Sequence, residues 1–268
     1  MNNFSVQFDE VKKYVSTPVG YFEEALSARG SIFGPGAFTD FINTIQLELT
    51  GADISFTAPL SMNALIDKGE LTVGEMFKLY RYENLLYTME LTGREIKNYL
   101  EFSYSLWFNQ MKGPGDHLLS FDLDELGNLK FDKRNNAPTL KNQYYNFDAA
   151  LGINYQVDVS KPNGEKISII SMQNGSQFDE TKKYKVAVNS YRGNGGGNHL
   201  IIGAGIAKEE LSKRIITSTE KDLRYYMMKW IEKNKTVNPK TAGNWKVVPH
   251  NWWTKGKEKD YQIIFGRN

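Results

Sequence analysis

The sequence has no cysteine among its 268 residues. That excludes a disulfide framework and thiolate metal ligation, and it leaves the compartment open. Histidine is scarce as well, with His117, His199 and His250 far apart along the chain. A hydrolytic metal site needs several His, Asp and Asn ligands converging, and none of the three belongs to an H-x-H, D-x-H or H-E-x-x-H pattern. There is no G-x-S-x-G elbow, and acid pairs such as Asp122 with Asp124 sit in a loop-like stretch where a solvated face is the default. The chain therefore reads as a binder with no catalytic centre, cofactor or metal of its own. An excess of one charge sign is missing too: 33 basic against 31 acidic side chains leave +2, too small and too evenly mixed for a nucleic-acid polymer as partner. The longest apolar run, "LIIGAGIA" at 200–207, is far too short to span a bilayer. "MNNFSVQFDEVKK" carries acidic residues and no apolar signal core, so either the protein is cytoplasmic or the chain begins after its signal.

What is present is an ordinary globular composition, 40% hydrophobic and 24% charged, with enough length to bury a real core. "GAFTDFINTIQLEL" places Phe38, Phe41, Ile42, Ile45 and Leu49 at helical spacing, and "GPG" before it is the breaker. Thr72 with Glu75, and Thr92 with Glu95, form S/T-x-x-E capping boxes for two further helices. The second of these carries Ile96, Leu100, Ser103 and Trp107 on one face. "DISFTAP" and "NLLYTMEL" read as strands, and "INYQVDVS" and "KISIISM" as a strand pair around the turn "KPNGE". "STEKDLRYYMMKWIEKN" predicts another helix, with Leu223, Met227, Trp230 and Ile231 on its stripe. Residues 109–143 are polar and weakly periodic and read as a long loop or excursion. The tail is aromatic and basic with one more strand-like end. With no repeat and no low-complexity linker, the expectation is a single α+β domain over 1–268, with a leader at 1–14, the excursion at 109–143 and a tail at 251–268.

The aromatic residues and one glycine-rich loop carry the functional signal. "NSYRGNGGGNHL" at 189–200 follows the strand-like run "YKVAV". Glycine lets a ligand approach the main chain closely. The loop matches neither G-x-x-x-x-G-K-[ST] nor a dinucleotide fingerprint, so from its glycines alone it fits a plain turn better than an anion cradle. "GNH" at 197–199 imitates a metal-ligand triplet, and His199 is expected to support the loop or face solvent. "LYRYEN" at 79–84 sets Tyr80 and Tyr82 before Asn84, and Tyr191 opens the glycine loop. A lone tyrosine is usually core or rim packing. Two on loops that follow regular elements, one beside an amide and one beside glycines, can instead clamp a flat ring, with stacking worth roughly 1–3 kcal/mol per base.

Four stretches, "GADISFTAP", "GELTVGEMFKLYRYENLLYTMELTGREIKNYLE", "YNFDAALGINYQVDVSKP" and "YKVAVNSYRGNGGG", together resemble the C-terminal domain of the 5′-nucleotidase family. Within it they look most like the branch of 2′,3′-cyclic-nucleotide 2′-phosphodiesterase/3′-nucleotidases, over about residues 15 to 250. The resemblance implies a substrate-binding domain of the α+β type that follows a metal-dependent phosphoesterase domain, which would supply the divalent metal ions. It implies a nucleobase stacked between two rings, carried over to Tyr82 and Tyr191, with Asn84 on the base edge. Asn189, Arg192, Gly195 and Gly196 complete the implied substrate-binding set, with Arg192 expected to face solvent, phosphate or the partner domain. A periplasmic or extracytoplasmic location is implied as well. Two positions depart from the 5′-nucleotidase branch: Asn63 stands where a phosphate-binding arginine would align, and Gly197 where an aspartate would contact ribose. The "GNH" triplet lies in the wrong domain to ligate the family's metals. The reading is a nucleoside- or nucleotide-binding, specificity-giving domain whose metallophosphoesterase partner lies in cis or on a separate chain. Its rivals are a free-standing nucleotide-binding or scavenging protein and a domain of this fold whose site has decayed.

Overall fold

Five strands form a central sheet in the order Ile215–Ser218, Leu86–Thr92, Lys183–Asn189, Ile54–Thr57 and Ala149–Leu151. They belong to a computed structural model that describes residues 2–134 and 136–266. Lys183–Asn189 runs antiparallel to Leu86–Thr92, from Lys183 opposite Thr92 to Asn189 opposite Leu86. It runs parallel to Ile54–Thr57, which pairs antiparallel with Ala149–Leu151. Side chains alternate across a strand, and Val186 and Val188 enter one core while Ala187 enters the other. Helix Gly93–Trp107 covers the first face, burying Ile96, Leu100, Ser103 and Trp107 as its spacing predicts. Helices Ala37–Thr50 and Leu223–Asn234 belong to the second core, through Phe38, Phe41, Ile42 and Ile45 and through Leu223, Met227 and Ile231.

This register decides where a site can form. Two parallel strands end, and their two antiparallel neighbours begin, at the same end of the sheet. Residues 58–60, 82–85, 144–148 and 189–192 are therefore brought together, although they are spread over more than a hundred positions of sequence. The strand pair Ile153–Asp158 and Ile167–Met172 forms as expected and is joined by Trp245–Val248 in a separate three-stranded sheet.

Several expectations need correction. Leu49 is 37% exposed and leaves the buried stripe of its helix. The Thr92–Glu95 capping box closes in both directions, whereas Thr72 sits at the N-cap of Val73–Leu79 without a side-chain cap bond. Within the 109–143 excursion, isolated bridges pairing Phe121 with Leu140, Leu123 with Leu129 and Phe131 with Pro138 fold the chain back on itself. Leu118, Leu119 and Phe121 are buried in the core. The tail beyond Val248 is helical over His250–Phe265. It docks through the fully buried Asp260, which accepts from the Leu119 amide at 2.8 Å and pairs with His117 Nδ1 at 2.5 Å. The helix Asn2–Val15 spans the described part of the stretch at 1–14 read as a leader. No helix among the described residues is long and apolar enough to cross a membrane.

Candidate functional site

At the convergent end of the sheet lies a cavity of about 390 Å³ lined by Ala58, Leu60, Tyr82, Asn84, Tyr145, Asn189, Tyr191 and Arg192. Five of the seven substrate-binding residues expected from sequence line it. Tyr82 and Asn84 lie on the segment that enters Leu86–Thr92, and Tyr191 lies just past the end of Lys183–Asn189. Tyr82 is half-buried and Tyr191 is 47% exposed, so both rings keep surface available to a ligand. Burial pushes the Tyr82 phenol above its ordinary value, with the neighbouring Tyr144 hydroxyl adding to the rise. Leu60, buried in the cavity wall, holds φ at +58°, a left-handed backbone that an ordinary side chain adopts only under constraint.

Asn84 donates through Nδ2 to the Tyr80 hydroxyl at 3.3 Å. Tyr80 is fully buried behind the cavity, and burial raises its phenol to about 12 against the pull of Asn84 and Asn189. Both amides are thus held around one buried hydroxyl. Asn189 also caps the short helix Ser190–Gly193, its Oδ1 accepting from the Arg192 amide at 2.9 Å.

Arg192 is placed differently from the expectation that its guanidinium faces solvent or a partner domain. It is 2% exposed. The reason is local: residues 190–193 turn into a helix instead of continuing extended, which swings the side chain inward. Its five N–H groups are all used. Nε and Nη2 donate to Asp148 at 2.9 and 3.0 Å, Nη2 also to the Tyr145 carbonyl at 2.6 Å, and Nη1 to the Gly196 carbonyl at 3.1 Å and Asn146 Oδ1 at 3.3 Å. Asp148 takes a further hydrogen bond from the Tyr99 hydroxyl. Burial alone would raise the Asp148 carboxyl, but the Arg192 charge and hydrogen bonds hold it below its ordinary value.

The glycines serve this network. Gly195 and Gly196 are not among the cavity-lining residues. A Cβ on Gly196 would sit 2.5 Å from Tyr191 Cε2, so the bare backbone lets the ring lie against the loop. A Cβ on Gly197 would collide with Arg192 Nη1, and no aspartate side chain fits at that position. His199, as expected, supports the loop: Nδ1 and Nε2 lie 3.0 Å from the carbonyls of Gly197 and Asn146. Burial, and next the Arg192 charge, lower its pKa to about 4, so the ring is neutral at pH 7. Asn63 lies outside the cavity and accepts from Arg29 Nε at 3.0 Å. Among the described residues no three His, Asp or Glu side chains gather as a metal site would require.

Sequence reasoning missed Tyr145, Asp148 and the apolar wall of Ala58 and Leu60. The signal for the first two was in view, since "YNFD" directly precedes the strand Ala149–Leu151, which pairs with Ile54–Thr57 beside the site.

The "5′-nucleotidase, C-terminal domain" profile matches residues 17–202. The trifunctional nucleotide phosphoesterase protein YfkN of Bacillus subtilis is 32% identical over 200 residues, covering 69% of this chain and 12% of its own length. A 2′,3′-cyclic-nucleotide 2′-phosphodiesterase/3′-nucleotidase of Haemophilus influenzae is 24% identical over 279 residues, covering 90% of this chain and 38% of its own. The chain thus spans well under half the length of these relatives. Among solved structures, a 5′-nucleotidase precursor from Thermus thermophilus superposes with a TM-score of 0.68 at 20% identity, over 92% of this chain and 42% of that one, a likeness of fold. The chain belongs to the 5′-nucleotidase C-terminal domain family.

Proposed function

We propose that this domain binds a nucleoside or nucleotide with its base stacked between Tyr82 and Tyr191, and that it gives substrate specificity to a metal-dependent nucleotidase or cyclic-nucleotide phosphodiesterase. The observation that carries this reading is that two tyrosines from segments far apart in sequence line one cavity together with Asn84 and Asn189. A cavity of about 390 Å³ lies within the range of roughly 300–1,000 Å³ usual for small-molecule sites. Aromatic faces tolerate any base, and an amide offers both donor and acceptor to its edge.

Bond cleavage is assigned to a metallophosphoesterase domain, in cis or on another chain, which would supply the divalent metal ions. His117 is paired with Asp260, His199 is held between two carbonyls, and His250 opens the terminal helix. The relatives support the reaction class, being named as a nucleotide phosphoesterase and a cyclic-nucleotide phosphodiesterase. The same reading would put the domain in a periplasmic or other extracytoplasmic compartment. Titration of adenosine against the wild-type chain and the Tyr82→Ala and Tyr191→Ala variants tests the clamp. Both variants are expected to bind more weakly, and equal affinity in all three would refute it.

A further inference from the structure

We propose that Tyr145 is the side chain that contacts the sugar of the bound nucleoside. The inference rests on the clamp reading and deepens it. A base stacked between two rings has both faces occupied, and the amide of Asn84 takes its edge, so the sugar needs a separate polar contact on the cavity wall. Few groups there are free to give one. Asn84 is committed to the base edge, and Asn189 is engaged by the Arg192 amide and the buried Tyr80 hydroxyl. Arg192 has no N–H left over, its five donors being divided among Asp148, Tyr145, Asn146 and Gly196. Ala58 and Leu60 are apolar, and position 197 has no room for a side chain because Arg192 Nη1 fills the place of its Cβ.

With the Tyr82 and Tyr191 rings committed to the two faces of the base, the Tyr145 phenol is left for the sugar. It lines the cavity from a third segment of chain, and among the described residues no hydrogen bond engages its hydroxyl. A phenol both donates and accepts, as a ribose hydroxyl does, and its ring can pack against the C–H face of a sugar. Its position is also fixed before any ligand arrives. The Tyr145 carbonyl accepts from Arg192 Nη2, the next residue is held by Arg192 and His199, and the Tyr144 ring packs edge-on against the Tyr145 ring at 5.4 Å. Preorganisation of this kind lowers the entropy cost of binding.

The test is calorimetric titration of adenosine and of free adenine against wild type, Tyr145→Phe, Tyr145→Ala and Tyr82→Ala. Tyr145→Phe is expected to weaken adenosine about fivefold, as loss of one hydrogen bond implies, and to leave adenine unchanged. Tyr145→Ala should weaken adenosine further, again sparing adenine, and unchanged adenine binding also shows that the variants are folded. Tyr82→Ala should weaken both ligands. If both Tyr145 variants bind adenosine as wild type does, or lose adenine and adenosine equally, the sugar contact is wrong while the clamp still stands on Tyr82→Ala. If Tyr82→Ala binds both ligands normally, the clamp fails, and a selective loss of adenosine in the Tyr145 variants would still report the sugar contact. Absence of binding by the wild-type chain overturns both.

Discussion

The Arg192 guanidinium and the Asp148 carboxylate face each other through two parallel hydrogen bonds of 2.9 and 3.0 Å, with side chains only 3% and 2% exposed. The two residues are 44 positions apart in sequence. Their pairing ties the segment carrying Tyr145 to the segment carrying Tyr191, so the two aromatic walls are positioned by one buried ion pair. Such a pair is a weak source of net stability but is costly to break, because the surviving charge is left buried and alone.

Asp148→Asn is therefore expected to destabilise the domain by about 3–5 kcal/mol, read as the urea midpoint at pH 7. Arg192→Lys should also destabilise, since an ammonium keeps the charge but cannot reproduce the planar two-bond fork. The pH dependence has a defined sign. The folded-state pKa of Asp148 lies below its ordinary value, so its contribution is present above the unfolded pKa and is lost as pH falls through the folded one. Wild type should lose stability more steeply than Asp148→Asn as the pH is lowered from about 4. Parallel curves for the two proteins would show that the pair does not carry that charge.

Gly197→Ala separates collision from backbone strain. Gly197 has φ +70° and a Cβ there meets the Arg192 guanidinium, whereas Gly205 has φ +77° with nothing within 4 Å of its Cβ position. Gly205→Ala should cost about 1–2 kcal/mol, the price of a left-handed backbone alone. Gly197→Ala should cost more and also weaken nucleoside binding, because Arg192 must move. Equal thermal shifts for the two variants would mean that the guanidinium yields without cost.

How much of this was legible in the sequence depends on the range of the interaction. The helices over 37–50, 93–107 and 223–234 announced themselves because a buried face recurs every 3.6 residues, and the main strands did so through alternation and length. Tyr82, Asn84 and Tyr191 were legible because they follow regular elements on short segments, and the register then brought them together. The Arg192–Asp148 pair was not, since a contact 44 residues apart leaves no local period. The inward turn of Arg192 was hidden for a related reason: the helix that Asn189 caps there is only four residues long and leaves no period in the sequence. The terminal helix was missed because its aromatic and charged residues are mixed along its length, with Gly256 and Asp260 buried among its described residues. The excursion at 109–143 was legible, but its folding back was not, because its bridges join single residues rather than strand-length runs.

Asp40 offers a test that is independent of the ligand. It lies in the first turn of Ala37–Thr50, 2% exposed, with Oδ2 accepting from the Ala242 amide at 2.8 Å and Oδ1 without a hydrogen-bond partner among the described residues. Burial raises its carboxyl from 3.8 to about 6, against the lowering effect of the Ala242 hydrogen bond. Because the folded state holds this proton more tightly than the unfolded chain, Asp40 favours folding below about pH 4, and that contribution is lost as the pH rises to about 6. Above that the buried charge is a standing cost. Asp40→Asn removes the charge and keeps an acceptor for Ala242, at the expense of burying an amide N–H₂ that then needs a partner, a penalty of roughly 1 kcal/mol. It also gives up the attraction between a carboxylate and the helix N-terminus, worth about 0.3–1 kcal/mol. The relief of a raised carboxyl, on the order of 2–3 kcal/mol, outweighs these terms only where the aspartate is ionised. Urea unfolding at pH 8 should therefore find Asp40→Asn more stable than wild type by about 1 kcal/mol. At pH 4 the order should reverse, because the neutral carboxyl then fits the site and the amide does not. A stability difference of the same sign and size at both pH values would show that Asp40 does not titrate in the folded protein as its burial implies.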